Sequence, residues 1–207
     1  AEEATIDPIV RGEQAKLRAT VTNIGGQTGD GAVTLDIGGE TKQQTANGLS
    51  PDESQTVTFT YTPTESDGDS LSPTVTTQDG TDSMTVPVAD PAAFTITIDT
   101  EAIPDPLIKE QSEAIPATIS NVGDIEGSTP VTLSVNSTQE ESTTTPTLAG
   151  GESHQVTFDY TPSEVTNSLT FDITTDDQTE TVSREVVFPS NFEVSVDTTS
   201  ISSPLVD

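Results

Sequence analysis

Acidic side chains in two short segments are the residues of this sequence best suited to bind a metal ion. Asp67 and Asp69 lie in Ser-Asp-Gly-Asp-Ser, and Asp176 and Asp177 lie in Thr-Thr-Asp-Asp-Gln. Carboxylate oxygens in loops are ligands that Ca²⁺ prefers, although neither segment has the spacing of an EF-hand loop. A calcium site and an ordinary solvated acidic surface are both open here, and no other cofactor is expected.

Residues for acid–base or nucleophilic catalysis are scarce. His154 is the single histidine, and it alternates with Val156 and Phe158, so its side chain should face solvent. The serines and threonines have no basic partner in the sequence. The chain contains no cysteine, which excludes disulfides and thiolate metal ligands. We therefore expect no catalytic residue and no enzymatic activity.

The triplet Asn136-Ser137-Thr138 matches the acceptor sequence for N-glycosylation. Such triplets also arise by chance in chains rich in asparagine and threonine. Asn136 is therefore a candidate for glycan attachment, provided that the protein is exported.

The charge of the chain excludes several classes of partner. Six basic residues stand against 35 acidic ones, a formal net charge of −29. Nucleic acids and anionic membrane surfaces both require a cationic face, so neither is expected to bind, and no apolar run is long enough to insert into a membrane. At about 1 M salt the Debye length falls to roughly 3 Å, which screens such self-repulsion. The composition favours concentrated salt and resembles that of proteins secreted by halophilic archaea.

Two homologous segments follow one another along the chain. Residues 3–25 align without gaps on residues 101–123, at an offset of 98 and with eight identities among 23 positions. Residues 49–63 align on residues 148–162, at an offset of 99 and with nine identities among 15. Two such blocks in the same order are not chance, so the chain holds two repeats. We predict domains over residues 1–90 and 91–190.

Residues 191–207 continue the pattern as the start of a third repeat. Residues 192–196, Phe-Glu-Val-Ser-Val, correspond to residues 94–98, Phe-Thr-Ile-Thr-Ile, which alternate like a leading strand. Residue 1 corresponds to residue 99, so the first repeat has no counterpart of that strand within this sequence. The segment 191–207 is therefore a candidate donor strand, with an interface formed by Phe192, Val194 and Val196.

Apolar and polar residues alternate with a period of two in both repeats, which predicts half-buried strands. About seven short strands in roughly 98 residues is the pattern of an immunoglobulin-like β-sandwich, and a small barrel is the alternative. The predicted fold is all-β, with two tandem immunoglobulin-like β-sandwich domains plus a C-terminal extra strand. In the first repeat, predicted strands include one through Leu71 and Val75, and one through Met84, Val86 and Val88.

Two motifs in each repeat resemble the CARDB type of immunoglobulin-like domain, named for cell-adhesion-related domains. One is a strand that ends in Val-x-Asn-x-Gly, and the other is a Leu-x-x-x-Glu-Ser turn before a Val-x-Phe strand. The resemblance implies stalks, adhesive modules or spacers, and it brings no catalytic residues. The matching residues are Val21, Asn23, Gly25, Leu49, Glu53 and Ser54, and in the second repeat Ile119, Asn121, Gly123, Leu148, Glu152 and Ser153.

Several functions fit these observations. The chain could be a subunit of an extracellular filament that assembles head to tail by donor-strand complementation, with other cell-surface components as further partners. It could instead be a window of a longer covalent array of repeats, such as an adhesin or surface-layer protein, or a halophilic virus spike or fibre. A polysaccharide-binding module is disfavoured, because only 4% of residues are aromatic and none is tryptophan.

Overall fold

The structure, a computed structural model, describes residues 6–195. Those residues form β-strands and a single 3-10 turn at Glu65–Asp67, which confirms the all-β prediction. They fall into two compact units: residues up to 95 together with 120–129 and 145–154, and the remaining residues. The boundary near residue 90 stays a prediction. Within the described part, no helix has the length and apolar character needed to cross a bilayer.

The second repeat contains eight strands in two sheets. One sheet has the order β10-β12-β15, and the other has the order β11-β17-β16-β13-β14. The strands are β10 (Phe94–Ile98), β11 (Leu107–Ile108), β12 (Glu113–Asn121), β13 (Pro130–Val135), β14 (Thr138–Thr144), β15 (Ser153–Tyr160), β16 (Thr166–Thr174) and β17 (Thr179–Val187).

The first repeat contains the remaining nine described strands. Their sheets have the orders β2-β5, β4-β3-β7-β8 and β1-β9-β6. The strands are β1 (Ile9–Val10), β2 (Ala15–Thr22), β3 (Gly29–Ile37), β4 (Glu40–Leu49), β5 (Ser54–Tyr61), β6 (Ser70–Leu71), β7 (Thr74–Thr76), β8 (Thr81–Ser83) and β9 (Val86–Ala89).

Alternation along the strands builds each core, as the sequence pattern predicts. In β5, Val57, Phe59 and Tyr61 are buried, and the intervening threonines face solvent. Across the β2–β5 pair, Thr20 Oγ1 and Thr56 Oγ1 lie 3.2 Å apart on the outer face. Threonine suits that face because its branched Cβ favours extended backbone without adding exposed apolar surface.

Two predicted strand patterns in the first repeat are wrong in detail. The strand predicted through Met84, Val86 and Val88 is broken before Val86, since Met84 lies between β8 and β9 and is 47% exposed rather than buried. The strand predicted through Leu71 is split as well, at Pro73. Proline has no N–H for the ladder and interrupts pairing. The equivalent position in the second repeat is Phe171, and β16 is continuous there.

Candidate functional site

The calcium candidate Asp67 is occupied by bonds within its own turn. Its Oδ1 accepts a hydrogen bond from the Tyr61 hydroxyl at 2.8 Å, and its Oδ2 accepts one from the Thr64 N–H at 2.6 Å. The Thr64 N–H is the main reason that the pKa of Asp67 lies below its ordinary value of 3.8. Burial and the bond to Asp67 together raise the pKa of Tyr61 to about 12. Asp67 thus links Tyr61, at the end of β5, to Thr64 in the turn that follows. We call this contact the corner at Tyr61 and Asp67.

The other three acidic candidates are not gathered into a cation site. Asp69 lies 3.6 Å from the guanidinium of Arg11, a buried side chain that also pairs with Asp90. Asp176 and Asp177 are exposed in the turn between β16 and β17. Among residues 6–195 no group of three or more His, Cys, Asp or Glu side chains could hold a metal ion. The structure therefore adds no support to the calcium hypothesis.

His154 and Asn136 are both exposed, as the sequence pattern predicts for His154. Asn136 lies in the tight turn between β13 and β14 with φ near +47°, a conformation that asparagine tolerates well. Its Oδ1 accepts a hydrogen bond from Thr170 N at 3.1 Å. That bond uses the amide oxygen rather than the nitrogen to which a glycan attaches. Glycosylation at Asn136 stays a prediction.

A different site emerges where the first strand of the second repeat begins. Asn121, at the end of β12, is fully buried. Its Nδ2 donates to Ile125 O at 2.8 Å and to Leu148 O at 3.0 Å. Its Oδ1 accepts from Gly123 N at 3.0 Å and from Ala93 N at 3.2 Å. One side chain therefore ties two loops to the residue that precedes β10.

Asn23 performs the same task in the first repeat with one bond fewer. Its Nδ2 donates to Gln27 O at 2.8 Å and to Leu49 O at 2.7 Å. Its Oδ1 accepts from Gly25 N at 2.9 Å. Within residues 6–195 no strand N–H occupies the position that Ala93 takes in the second repeat. Asn23 is only partly buried as a result.

In the second repeat, β10 pairs with β12 as the edge strand of its sheet. Phe94 and Ile96 of β10 are each 5% exposed. The inward residues of β12, which are Ile115, Ala117 and Ile119, are at most 1% exposed. The first strand thus completes the apolar core of this repeat.

In the first repeat the equivalent strand, β2, pairs with β5 alone within the described residues. Its inward residues Leu17, Ala19 and Val21 remain half-buried and pack against the core from one side. An open groove of about 600 Å³ lies beside them, with Leu35 and Phe59 in its wall. We call it the acceptor groove. Its lining is Ile6, Asp7, Ile9, Lys16, Leu17, Arg18, Ala19, Thr20, Leu35, Phe59, Pro73, Val75, Asp82, Ser83, Met84 and Val86.

Two equivalent glycines record the same difference. Gly127 and Gly29 occupy matching positions, since they pair with Leu148 and Leu49 respectively. A Cβ added to Gly127 would lie 3.3 Å from the ring of Phe94, whereas a Cβ added to Gly29 would meet no atom within 4 Å. The space that a first-strand phenylalanine fills in the second repeat is therefore open in the first.

The predicted donor residues lie exposed in the single chain. Phe192 and Val194 are each 87% exposed, and residues 191–195 belong to no strand. Val196 lies outside the described residues. An exposed phenylalanine and valine on alternate positions form an apolar face with no cover. The interface of Phe192, Val194 and Val196 stays a prediction.

Several residues of this site escaped the sequence analysis. Gly29 carried a usable signal, because it aligns with Gly127 at the offset of 98. Lys16 and Arg18 carried another, because two of only six basic residues lie on one strand. Neither signal reveals that the edge of β2 is open. Only the structure shows this.

Comparison with known proteins places both repeats in one family. The CARDB family model matches residues 2–83 and 92–184. No curated protein is similar enough to this sequence to count as a relative.

Solved structures that resemble the chain include a CARDB domain from Pyrococcus furiosus, crystallised in complex with di-metal ions. It is 21% identical, with 47% of this chain and 96% of that chain covered and a TM-score of 0.43. A β-glucosidase from Listeria innocua is 18% identical over 46% of this chain and 16% of its own, with a TM-score of 0.40. Fibronectin(III)-like modules of CbhA from Clostridium thermocellum are 13% identical over 94% and 97%, with a TM-score of 0.35. At these values the likenesses assign no function.

Proposed function

Since this chain belongs to the CARDB family, we propose that it is a non-enzymatic structural subunit of an extracellular filament or surface appendage. Its partner is another copy of itself, joined head to tail by donor-strand complementation. In this mode an extended segment adds a strand to an open sheet edge of the next subunit. The donor is the segment from residue 191 onward, and the acceptor is the groove beside β2.

The observation that carries this proposal is the contrast between the two first-strand positions. In the second repeat the position is filled by β10, and the residues beneath it are buried. In the described part of the first repeat the position is an open groove. Residues 192–196 repeat the alternation of β10 in sequence, and Phe192 and Val194 are exposed. An open strand position and a strand pattern that matches it are thus present in one chain.

Physical chemistry favours their union. A fully buried phenylalanine or valine side chain contributes about 1.5–3 kcal/mol relative to the exposed state. Docking also adds ladder hydrogen bonds to the free edge of β2, and uncovered edges are sites at which chains associate. Donor and acceptor are different surfaces of one chain, so the contact is heterologous and propagates unless the rotation closes a ring.

The proposed environment is a saline exterior, as for an appendage of a halophilic archaeon. A formal charge of −29 on 207 residues makes copies repel one another in dilute buffer. Concentrated salt removes most of that repulsion and strengthens apolar burial. Assembly is therefore expected to be strongest at high ionic strength.

A second candidate rests on the same groove. In a longer covalent array of repeats, such as an adhesin, a surface-layer protein or a viral fibre, a preceding segment of the same chain would fill the groove beside β2. The intact mass of the native protein separates the two candidates. A mass near 21.6 kDa supports separate subunits, and a much larger mass supports the array.

Polymerisation of the purified chain tests the proposal. We expect filaments in electron micrographs, and rapid sedimentation, at about 1 M salt. The double variant Phe192→Asp, Val194→Asp should remain a separate chain, because two carboxylates cannot enter an apolar groove without a large desolvation penalty.

The matched control is Phe188→Asp, which alters another exposed phenylalanine outside the proposed donor face. This variant should still form filaments. Wild-type chains that stay separate at every concentration of protein and salt would contradict the proposal, as would filaments that persist in the double variant.

A further inference from the structure

The pairing of β10 with β12 in the second repeat supplies a register for the docked donor strand. In that pairing Val122 N donates to Ala93 O at 2.7 Å, and Asp99 N donates to Pro116 O at 3.0 Å. The partner numbers fall as the strand numbers rise, so the pairing is antiparallel and continuous. At the offset of 98 the same ladder predicts two bonds between copies, from Ile24 N to Asn191 O and from Asp197 N to Arg18 O.

The acceptor strand differs from its counterpart in charge. Lys16 and Arg18 lie on the exposed face of β2 and line the acceptor groove. The equivalent residues of β12 are Ala114 and Pro116. No ion pair among residues 6–195 involves Lys16 or Arg18. Of the six basic residues in the chain, two thus lie beside its open edge without an ion-pair partner among residues 6–195.

The donor segment carries the opposite charge. Glu193 and Asp197 lie on the face of the tail that is turned away from the core when Phe192 points inward. In the predicted register Asp197 is directly opposite Arg18, where cross-strand side chains are close enough to interact. The acceptor edge and the donor strand are therefore complementary in charge as well as in apolar pattern.

Resting on the proposed filament function, we infer that the acceptor groove is specific for the tail of a second copy in one register. Phe192 over Gly29 and Asp197 opposite Arg18 set that register. Asn23 Oδ1 accepts the Asn191 N–H, as Asn121 accepts the N–H of Ala93 in the second repeat. Arg18 is thus a specificity determinant of the subunit contact rather than a general surface charge.

A slipped register loses either the burial of the apolar face or the contacts of Asp197 and Phe192. Moving the donor by one residue turns Glu193 toward the apolar groove and Phe192 toward solvent, because the side-chain period of a strand is two. A shift by two residues keeps the apolar face inward but takes Asp197 away from Arg18 and Phe192 away from Gly29. The chain-specific features therefore select a single pairing.

Charge-swapped chains test the inference. We expect Arg18→Asp and Asp197→Arg each to raise the critical concentration for assembly roughly three- to tenfold at about 0.15 M salt, because like charges then oppose each other across the strands. An equimolar mixture of the two variants should assemble almost like wild type, since each contact between unlike chains is complementary. The control Lys42→Asp makes the same charge change on β4, outside the groove lining, and should have little effect.

A synthetic peptide of residues 189–207 separates this inference from the filament proposal. It is titrated, as wild type and as Asp197→Arg, against wild-type and Arg18→Asp chains held below their assembly concentration. We expect the two matched combinations to bind roughly three- to tenfold more tightly than the two mismatched ones.

Each outcome of these measurements is decisive. Filaments with equal assembly of all charge variants, or equal peptide affinities, overturn the register and leave the filament proposal standing. Absence of filaments together with selective peptide binding overturns the filament proposal and supports the register. Absence of any peptide binding overturns both.

Discussion

The two repeats share a core motif, and their first-strand positions differ. β12 is paired with β10 and its inward residues are at most 1% exposed, whereas β2 has half-buried residues and an open groove beside it. The buried asparagine of the second repeat, Asn121, bonds to the residue that precedes its first strand, and Asn23 has the same geometry without that bond. Among residues 6–195, the same core motif is thus present once with its leading strand and once without it.

This difference shows what a first strand contributes to such a sandwich. The asparagine bonds and the parallel pairing of a short strand with the last strand form in both repeats. Apart from the strand interrupted at Pro73, what changes is the exposure of the inward face of β2 and the pairing of its outer edge. A strand position that is open at the edge of a sheet is suited to accept a strand from another chain.

Truncation of the two equivalent phenylalanines should give the largest contrast. Phe94→Ala is expected to lower the free energy of unfolding of the second repeat by about 3–5 kcal/mol, because a buried aromatic side chain is lost. Phe192→Ala should leave the unfolding of separate chains unchanged and weaken filament formation. Urea unfolding below the assembly concentration, together with sedimentation above it, measures both. A large stability loss in Phe192→Ala would show that this residue already packs within its own chain.

Replacement of the two asparagines should give the next largest loss of stability. Asn121→Ala leaves buried partners of four hydrogen bonds unsatisfied, at about 1–3 kcal/mol for such a group. Asn23→Ala should lie at the low end of that range, because the site is only partly buried. Within filaments the two losses should become similar, since Asn23 then gains its fourth bond. Thermal unfolding of separate and assembled chains tests this convergence.

The glycine pair should give a smaller change in stability with a clear change in assembly. Gly127→Ala is expected to cost about 1–3 kcal/mol, because its Cβ would lie 2.6 Å from Cβ of Ala92. Gly29→Val should be nearly neutral in separate chains and should block entry of Phe192. If Gly29→Val destabilises the separate chain, or if it still permits normal filaments, then Phe192 does not dock over Gly29.

The corner at Tyr61 and Asp67 should give the smallest effect, visible through its pH dependence. The folded pKa of Asp67 is below 3.8, so its contribution is present above about pH 4 and is lost as the pH falls through the folded pKa. The pKa of Tyr61 rises from 10.0 to about 12, so stability is also lost as the pH rises through that interval. The stability gap between wild type and Asp67→Asn should therefore narrow below pH 4. A gap that stays constant down to pH 2 would contradict this assignment.

Much of the fold could be predicted from local patterns. The offset of 98 and the period of two identified the repeats, the inward faces of β5 and β15, and the exposed position of His154. The errors arose where pairing was decided by distant residues. Met84 fits an alternating pattern, yet it is exposed because Pro73, the counterpart of Phe171, interrupts the ladder beside it.

The sequence by itself determined the family, the all-β class, the repeat phase and the presence of a first-strand pattern at residues 192–196. Each of these depends on residue order, which a linear pattern records. Only the tertiary structure decided that β2 has an open groove, that Gly29 faces empty space, and that Asp67 is engaged by Tyr61 and Thr64. Alternation states which face of a strand is apolar, but what covers that face depends on contacts between residues far apart in the chain.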